Sequence, residues 1–254
     1  MNQNLYHNVR YLSIAICLLC SLMCAFPAGA ETPFSHLWSG FSTSLEGRST
    51  QQRHNASLAG RFIDGLIIPP GGIFSFNEQV GGRSRAKGYE TAPFLNADGL
   101  LEDAPGGGIC QLASTIYNAG LLGGLEVVER HPHSRTVLHV PPGRDATIAS
   151  WRKDLKLRNP FSHPLLLKIS SDNNRLNVAL HSPTDKKFDV QVFTEQLALE
   201  AQAVAGRVKQ GQPGGQGYAT ATWRSIRKDG TDRKELLSED VYPAPSRIIA
   251  GGGE

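Results

Sequence analysis

Apolar residues recur at helical spacing in two stretches of the chain. Over residues 50–67, Ala56, Ala59, Phe62, Ile63 and Leu66 share one face, and Pro69-Pro70-Gly71-Gly72 stops the run. Behind Cys110, the residues Ala113, Ile116, Tyr117, Gly120 and Leu121 keep the same period until Gly123-Gly124 closes it. Short β-prone runs predict strands at 73–76, 125–129, 135–140 and from 145 onward. Residues 164–170 and 175–181 flank Ser171-Asp172-Asn173-Asn174, the turn chemistry of a hairpin, and 188–193 is read as extending the same sheet. Residues 218–226 and 233–237 flank Lys228-Asp229-Gly230 as another hairpin, with no catalytic-looking cluster. Residues 31–49 read as an extended lead-in, the glycine-rich basic stretch 80–88 as a mobile loop, and 206–217 as a long loop or hinge. The expected fold is α+β: a cysteine-bearing helix packed on a mostly antiparallel sheet. The expected boundaries are a leader at 1–30, a main domain at 31–184 and a small β extension at 185–254.

The leader changes the compartment. Arg10 precedes an apolar stretch at 11–26, and Ala28-Gly29-Ala30 supplies a small-residue cleavage site, so 1–30 reads as a secretory signal peptide. Export then makes the four cysteines informative, because Cys17, Cys20 and Cys24 leave with the leader and Cys110 remains alone. A lone thiol outside the cytoplasm is either buried and inert or reactive for a purpose. The expected location is extracytoplasmic, in the periplasm or cell wall, with no membrane span after leader removal. The chain holds 26 basic and 23 acidic residues, a balance that gives no reason to expect nucleic acid as a partner. No P-loop, dinucleotide fingerprint, heptad or internal repeat is present, so no cofactor is expected. Oligomeric state is left open.

Pro105-Gly106-Gly107-Gly108-Ile109-Cys110-Gln111 strips side chains from the approach to a cysteine that opens a helix. Free N–H groups and the helix dipole at such an end favour a thiolate. That stretch belongs to a wider set: Phe74-Ser75-Phe76-Asn77, Gly88-Tyr89, Tyr117-Asn118-Ala119, Arg130-His131-Pro132-His133-Ser134, Gly143-Arg144-Asp145-Ala146-Thr147, Asp154-Leu155 and Arg158-Asn159. Together, over roughly residues 38 to 182, they resemble the VanW family. Tyr242-Pro243 and Ile248-Ile249 are similar to a short β extension that often follows that domain. The resemblance implies an exported bacterial cell-envelope protein, in a family named from vancomycin-resistance gene clusters, without a settled biochemical activity. His139 departs from the family, which more usually carries an aromatic residue there, and this argues against His139 as an essential histidine.

The order Cys110, His133, Asp145 resembles the layout of transglutaminase-like and other papain-like cysteine enzymes. In that arrangement the histidine takes the thiol proton and the aspartate fixes the imidazole. His131 is the alternative histidine, and Gln111 is read as either an oxyanion donor or a helix-start hydrogen bond. Gly107, Gly108, Arg83, Arg85, Tyr117 and Arg144 are the expected substrate contacts, with Lys87 beside the two loop arginines as a further cation. The substrate expected is an amide in an exported polymer, the peptide stem of peptidoglycan, undergoing hydrolysis or acyl transfer. Three other readings stand beside it. Cys110 packs as a small hydrophobe in a non-catalytic module that binds cell-wall polymer or a partner. Two of Glu90, Glu126 and Glu129 frame a sugar linkage. Cys110, His131 and His133 hold zinc, although no fourth ligand is apparent and no metal is expected.

Overall fold

The computed structural model describes residues 33–96, 101–149, 152–172, 174–199, 203–205, 217–244 and 247–249. In chain order the elements are β1 (His36–Ser44), α1 (Thr50–Ile63), β2 (Leu66–Ile68), β3 (Ile73–Ser75), α2 (Phe76–Val80), β4 (Thr91–Leu95), β5 (Leu101–Pro105), α3 (Ile109–Leu122), β6 (Glu126–Glu129), β7 (Lys156–Arg158), β8 (Leu165–Ser171), β9 (Arg175–Ser182), β10 (Asp189–Leu199), β11 (Ala203–Ala205), β12 (Gly217–Lys228), β13 (Thr231–Tyr242) and β14 (Arg247–Ile249). The expected α+β architecture, one helix packed on one sheet, is overturned. Strands hold 45% of the described residues against 19% in helices, so the fold is β-rich.

The strands form five sheets among the described residues: β1-β9-β8-β2, β3-β7-β6, β4-β5, β10-β12-β13 and β11-β14. All pairings are antiparallel except the short β11–β14 pair. β9 shows the alternation that fixes its register. Leu176, Val178, Leu180 and Ser182 face inward while the residues between them do not. Each buried aliphatic side chain there contributes about 1.5–3 kcal/mol.

α3 is the centre of the packing. Nearly its whole circumference is buried, including Gln111, Ser114, Thr115 and Asn118, so it is enclosed on all sides rather than laid on one sheet. Ser39 Oγ of β1 donates to Ala119 O at 2.8 Å, and Thr43 Oγ1 lies 2.9 Å from Thr115 Oγ1. On another side Asn118 Nδ2 donates to Arg144 O at 2.7 Å. From the C-terminal sheet, Arg224 of β12 donates to Leu125 O at 2.6 Å, just past the helix end.

Local signals explain the shifted boundaries. Ser49 caps α1 in a reciprocal capping box with Gln52, worth about 1 kcal/mol. The helix stops at Ile63, not 67, because Gly65 turns the chain at φ +83° and β2 pairs with β8. Phe76, read as the end of a strand, begins α2, capped by Ser75 Oγ accepting from Glu78 N at 3.2 Å. The stretch read as a lead-in contains β1, which pairs along its length with β9. Residues 188–193 do not extend β8–β9; β10 pairs with β12 in a separate sheet. Residues 135–140 and 145–148 form no strand. The two predicted hairpins form as β8–β9 and β12–β13. The leader and most of 206–217 lie outside the described residues; among the described residues no helix is long and apolar enough to cross a membrane.

Candidate active site

The glycine stretch works as the pattern demands at two positions. Gly106 and Gly108 adopt φ +92° and +102°, and Gly108 caps α3 with no side-chain hydrogen bond. Gly107 is there for proximity, because a Cβ on it would lie 2.3 Å from Ala92 O. Asn55 of α1 ties this turn down, donating to Gly107 O at 3.0 Å and Glu90 O at 2.9 Å. Gly107→Ala is therefore expected to destabilise the fold by about 1–3 kcal/mol through overpacking against β4, read from urea unfolding midpoints.

Cys110 is the second residue of α3, half-buried, at the wall of a cleft of about 460 Å³. Its Sγ lies 3.7 Å from Thr147 Oγ1 and 3.8 Å from Ile148 O. Its backbone N–H belongs to the first turn, which has no acceptor within the helix. His133 and His139 also line the cleft.

Asp145 joins His133 to the rest of the protein. Its Oδ2 accepts the His133 backbone N–H at 2.7 Å and the ring Nδ1 at 2.5 Å. An ionised carboxylate only accepts, so Nδ1 carries the proton and Nε2 is left for the Cys110 sulfur. On its other side, Asp145 Oδ1 accepts from Arg130 Nη2 at 2.9 Å and from Tyr242 Oη at 2.5 Å. Tyr242 Oη in turn accepts Gly143 N–H at 2.9 Å, and Arg130 Nη1 donates to Asp240 at 2.5 Å. Arg130, Asp145 and Asp240 are all buried.

Electrostatics follow from these contacts. Burial pushes the Cys110 thiol up, but the hydrogen bond and charge of His133, helped by Ile148 O and Thr147, bring it down to about 7. Burial likewise lowers His133, yet Asp145 and Cys110 outweigh it and raise the imidazole to about 9. For Asp145, burial is overridden by His133, Arg130 and Tyr242, which hold the carboxyl well below the usual range. A thiolate–imidazolium pair at neutral pH is the consequence.

The remaining expected residues divide. Gly107, Gly108 and Arg83 line the cleft. Gln111 borders it, but its amide nitrogen donates to Ser44 O at 2.7 Å and Thr43 Oγ1 at 3.0 Å, which ties the start of α3 to β1. Tyr117 is a core residue beneath the Arg130 guanidinium. Arg144 donates to Asn118 Oδ1 at 2.6 Å and Val192 O at 3.2 Å, and Arg85 to Thr91 on the exposed surface; all three lie away from the cleft. His131 turns to Glu129 at 3.0 Å and so does not converge with His133 and Cys110 as the zinc reading required. Glu126 pairs with Arg158 and Glu129 with Lys156, while Glu90 joins the site only through its backbone; none of these glutamates lines the cleft as glycan cleavage required.

Sequence reading gave Asp240, Tyr242 and Arg48 no place in the site and argued against His139. Asp240 and Tyr242 come from a hairpin read as having no catalytic-looking cluster. Arg48 and His139 form a second pair in the cleft. Arg48 Nη2 lies 3.2 Å from His139 Nδ1, and His139 Nε2 lies 3.0 Å from Ser114 Oγ. Arginine can only donate, so His139 accepts at Nδ1 and donates from Nε2. Burial, with the charges of His133 and Arg48, lowers His139 to about 3 and keeps it neutral.

A family model described as "VanW like protein" matches residues 51–181. The chain is 40% identical over 142 residues to the uncharacterized protein YoaR of Bacillus subtilis (strain 168), covering 56% of this chain and 45% of that protein. It is 29% identical over 127 residues to the vancomycin B-type resistance protein VanW of Enterococcus faecalis, covering 48% of this chain and 46% of that one. The match thus spans less than half the length of either curated relative. No solved structure matches.

Proposed function

The chain belongs to the VanW family, and from that premise we propose that it is an exported cell-envelope protein that cleaves or transfers peptide amides of peptidoglycan through Cys110. The observation that carries this reading is Cys110 and His133 lining one cleft, with the buried Asp145 bonded to His133 behind it. The Cys110 thiolate attacks the amide carbonyl carbon, and the oxygen takes the negative charge beside the Cys110 backbone N–H in the first turn of α3. His133 Nε2–H then protonates the departing amine, the C–N bond breaks and a thioester remains. Water or an acceptor amine, deprotonated by His133, resolves the thioester and frees the thiol. Asp145 holds His133 in the required tautomer throughout. The name of the Enterococcus faecalis relative ties that protein to vancomycin resistance, and carried to this chain that tie favours a cell-wall substrate. The sequence signal at 1–30 supports export.

The test is incubation with purified muropeptides, comparing the native protein with Cys110→Ala by mass spectrometry. The native protein is expected to produce fragments or adducts with the mass change of hydrolysis or acyl transfer, and Cys110→Ala none. Identical product profiles would move the protein to the binding-module class.

A further inference from the structure

The described residues lining the Cys110 cleft include no aspartate or glutamate. Their charges are Arg48, Arg83 and the His133 imidazolium, at the positive end of α3, against a single thiolate. Of the two arginines, Arg83 donates to Asn77 Oδ1 at 2.5 Å, and its stem lies against Gly106. Arg48 is placed differently. Its guanidinium is half-buried at the cleft, its hydrogen bond goes to the neutral His139, and no carboxylate pairs with it among the described residues. His139 is pinned on its far side by Ser114, whose Oγ donates to the carbonyl of Cys110 itself at 2.9 Å. A desolvated guanidinium oriented this way is pre-organised for an anion. The adjoining wall, formed by Phe94, Leu95, Val137 and Leu138, is apolar and suits an aliphatic body attached to that anion.

We propose that Arg48 binds a carboxylate of the substrate and so selects acyl donors that carry a negative charge close to the reacting carbonyl. This inference rests on the Cys110 reading, and the experiment separates the two. Cys110 in the full chain is alkylated with iodoacetate, which carries a carboxylate, and with neutral iodoacetamide, each site-resolved by mass spectrometry and normalised to free cysteine. In both reactions the sulfur displaces iodide and forms a C–S bond. The normalised iodoacetate-to-iodoacetamide ratio is expected to be about tenfold or more in the native protein and to fall roughly tenfold in Arg48→Gln, which keeps an N–H for His139. A native ratio equal to that of free cysteine, or one unchanged in Arg48→Gln, overturns the carboxylate site. Slow alkylation by both reagents overturns the reactive cysteine instead. A second measurement needs no variant. N-acetylalanine, with a terminal carboxylate, and N-acetylaspartate α-amide, with a side-chain carboxylate, are compared with neutral N-acetylalaninamide for protection of native Cys110 from iodoacetamide. Protection by either acid supports the site and identifies its source; no greater protection than the neutral amide overturns it.

Discussion

Asp145→Asn is expected to slow alkylation of Cys110 at pH 7 by roughly tenfold or more, because the thiol returns toward the unperturbed value near 8.5. In the native protein the thiolate forms as pH rises through about 7, stabilised by a protonated His133 that persists to about 9. Both values depend on Asp145, which accepts the His133 Nδ1 proton. An asparagine amide placed there offers an N–H to Nδ1, reverses the tautomer and points a ring N–H at the sulfur in the neutral state. The imidazolium loses its carboxylate partner, so it deprotonates lower and the thiol ionises higher. The rate–pH profile should therefore shift toward alkaline pH with its plateau preserved, a change that loose packing alone does not produce. A stability effect accompanies it. The Asp145 carboxyl is depressed in the folded state, so its contribution is present above about pH 4 and is lost as pH falls below that. Thermal melts of the native protein should steepen in their acid dependence there more than those of Asp145→Asn, which retains only the other depressed carboxylates such as Glu129. A profile for Asp145→Asn that overlays the native one would remove Asp145 from the site.

Arg130→Ala is expected to cost about 3–5 kcal/mol of stability, because it strands two carboxylates in the interior. The guanidinium is buried against Asp145 at 2.9 Å and Asp240 at 2.5 Å, and its Nε donates to Asp145 O at 2.6 Å. Replacing a hydrogen-bonded buried cation by a methyl group leaves both charges to desolvation without repayment. A size-matched neutral pair gives the control. Arg130→Met combined with Asp240→Asn removes one stranded charge, and its loss should be smaller than the sum of the single substitutions. Chemical denaturation of the four proteins measures the coupling. Additivity within about 0.5 kcal/mol would show that Arg130 and Asp240 act independently. The same cycle addresses the C-terminal hairpin, because Asp240 and Tyr242 lie beyond the residues that the family model matches. Their bonds to Arg130 and Asp145 make β13 part of what holds His133 in place.

What was legible in the sequence is what is decided locally. Three glycines before a cysteine and two after a helical run fixed α3 to within a residue, because positive φ and helix ends are properties of neighbouring backbone. The turn residues of β8–β9 and β12–β13 did the same for two hairpins. The order Cys110, His133, Asp145 was also visible, but order is not proximity. The strands expected at 135–140 and from 145 do not form; His133 and Asp145 each lie on irregular chain, and a carboxylate with four hydrogen bonds sets their geometry. β1 and β7 passed unread because their pairing partners are distant, as β1 with β9 shows, whereas β4 and β5 pair with each other as sequence neighbours and were missed because their patterns alternate weakly. Tyr242 is 97 residues from Asp145, and Arg48 is 91 from His139. No periodicity in a single chain encodes such contacts, since they arise only when separate elements are brought together around a buried helix. The sequence alone thus determined the family, the reactive-looking cysteine and the helix that presents it. Tertiary packing decided which histidine faces the sulfur, which arginine opens onto the cleft, and that the whole is β-rich.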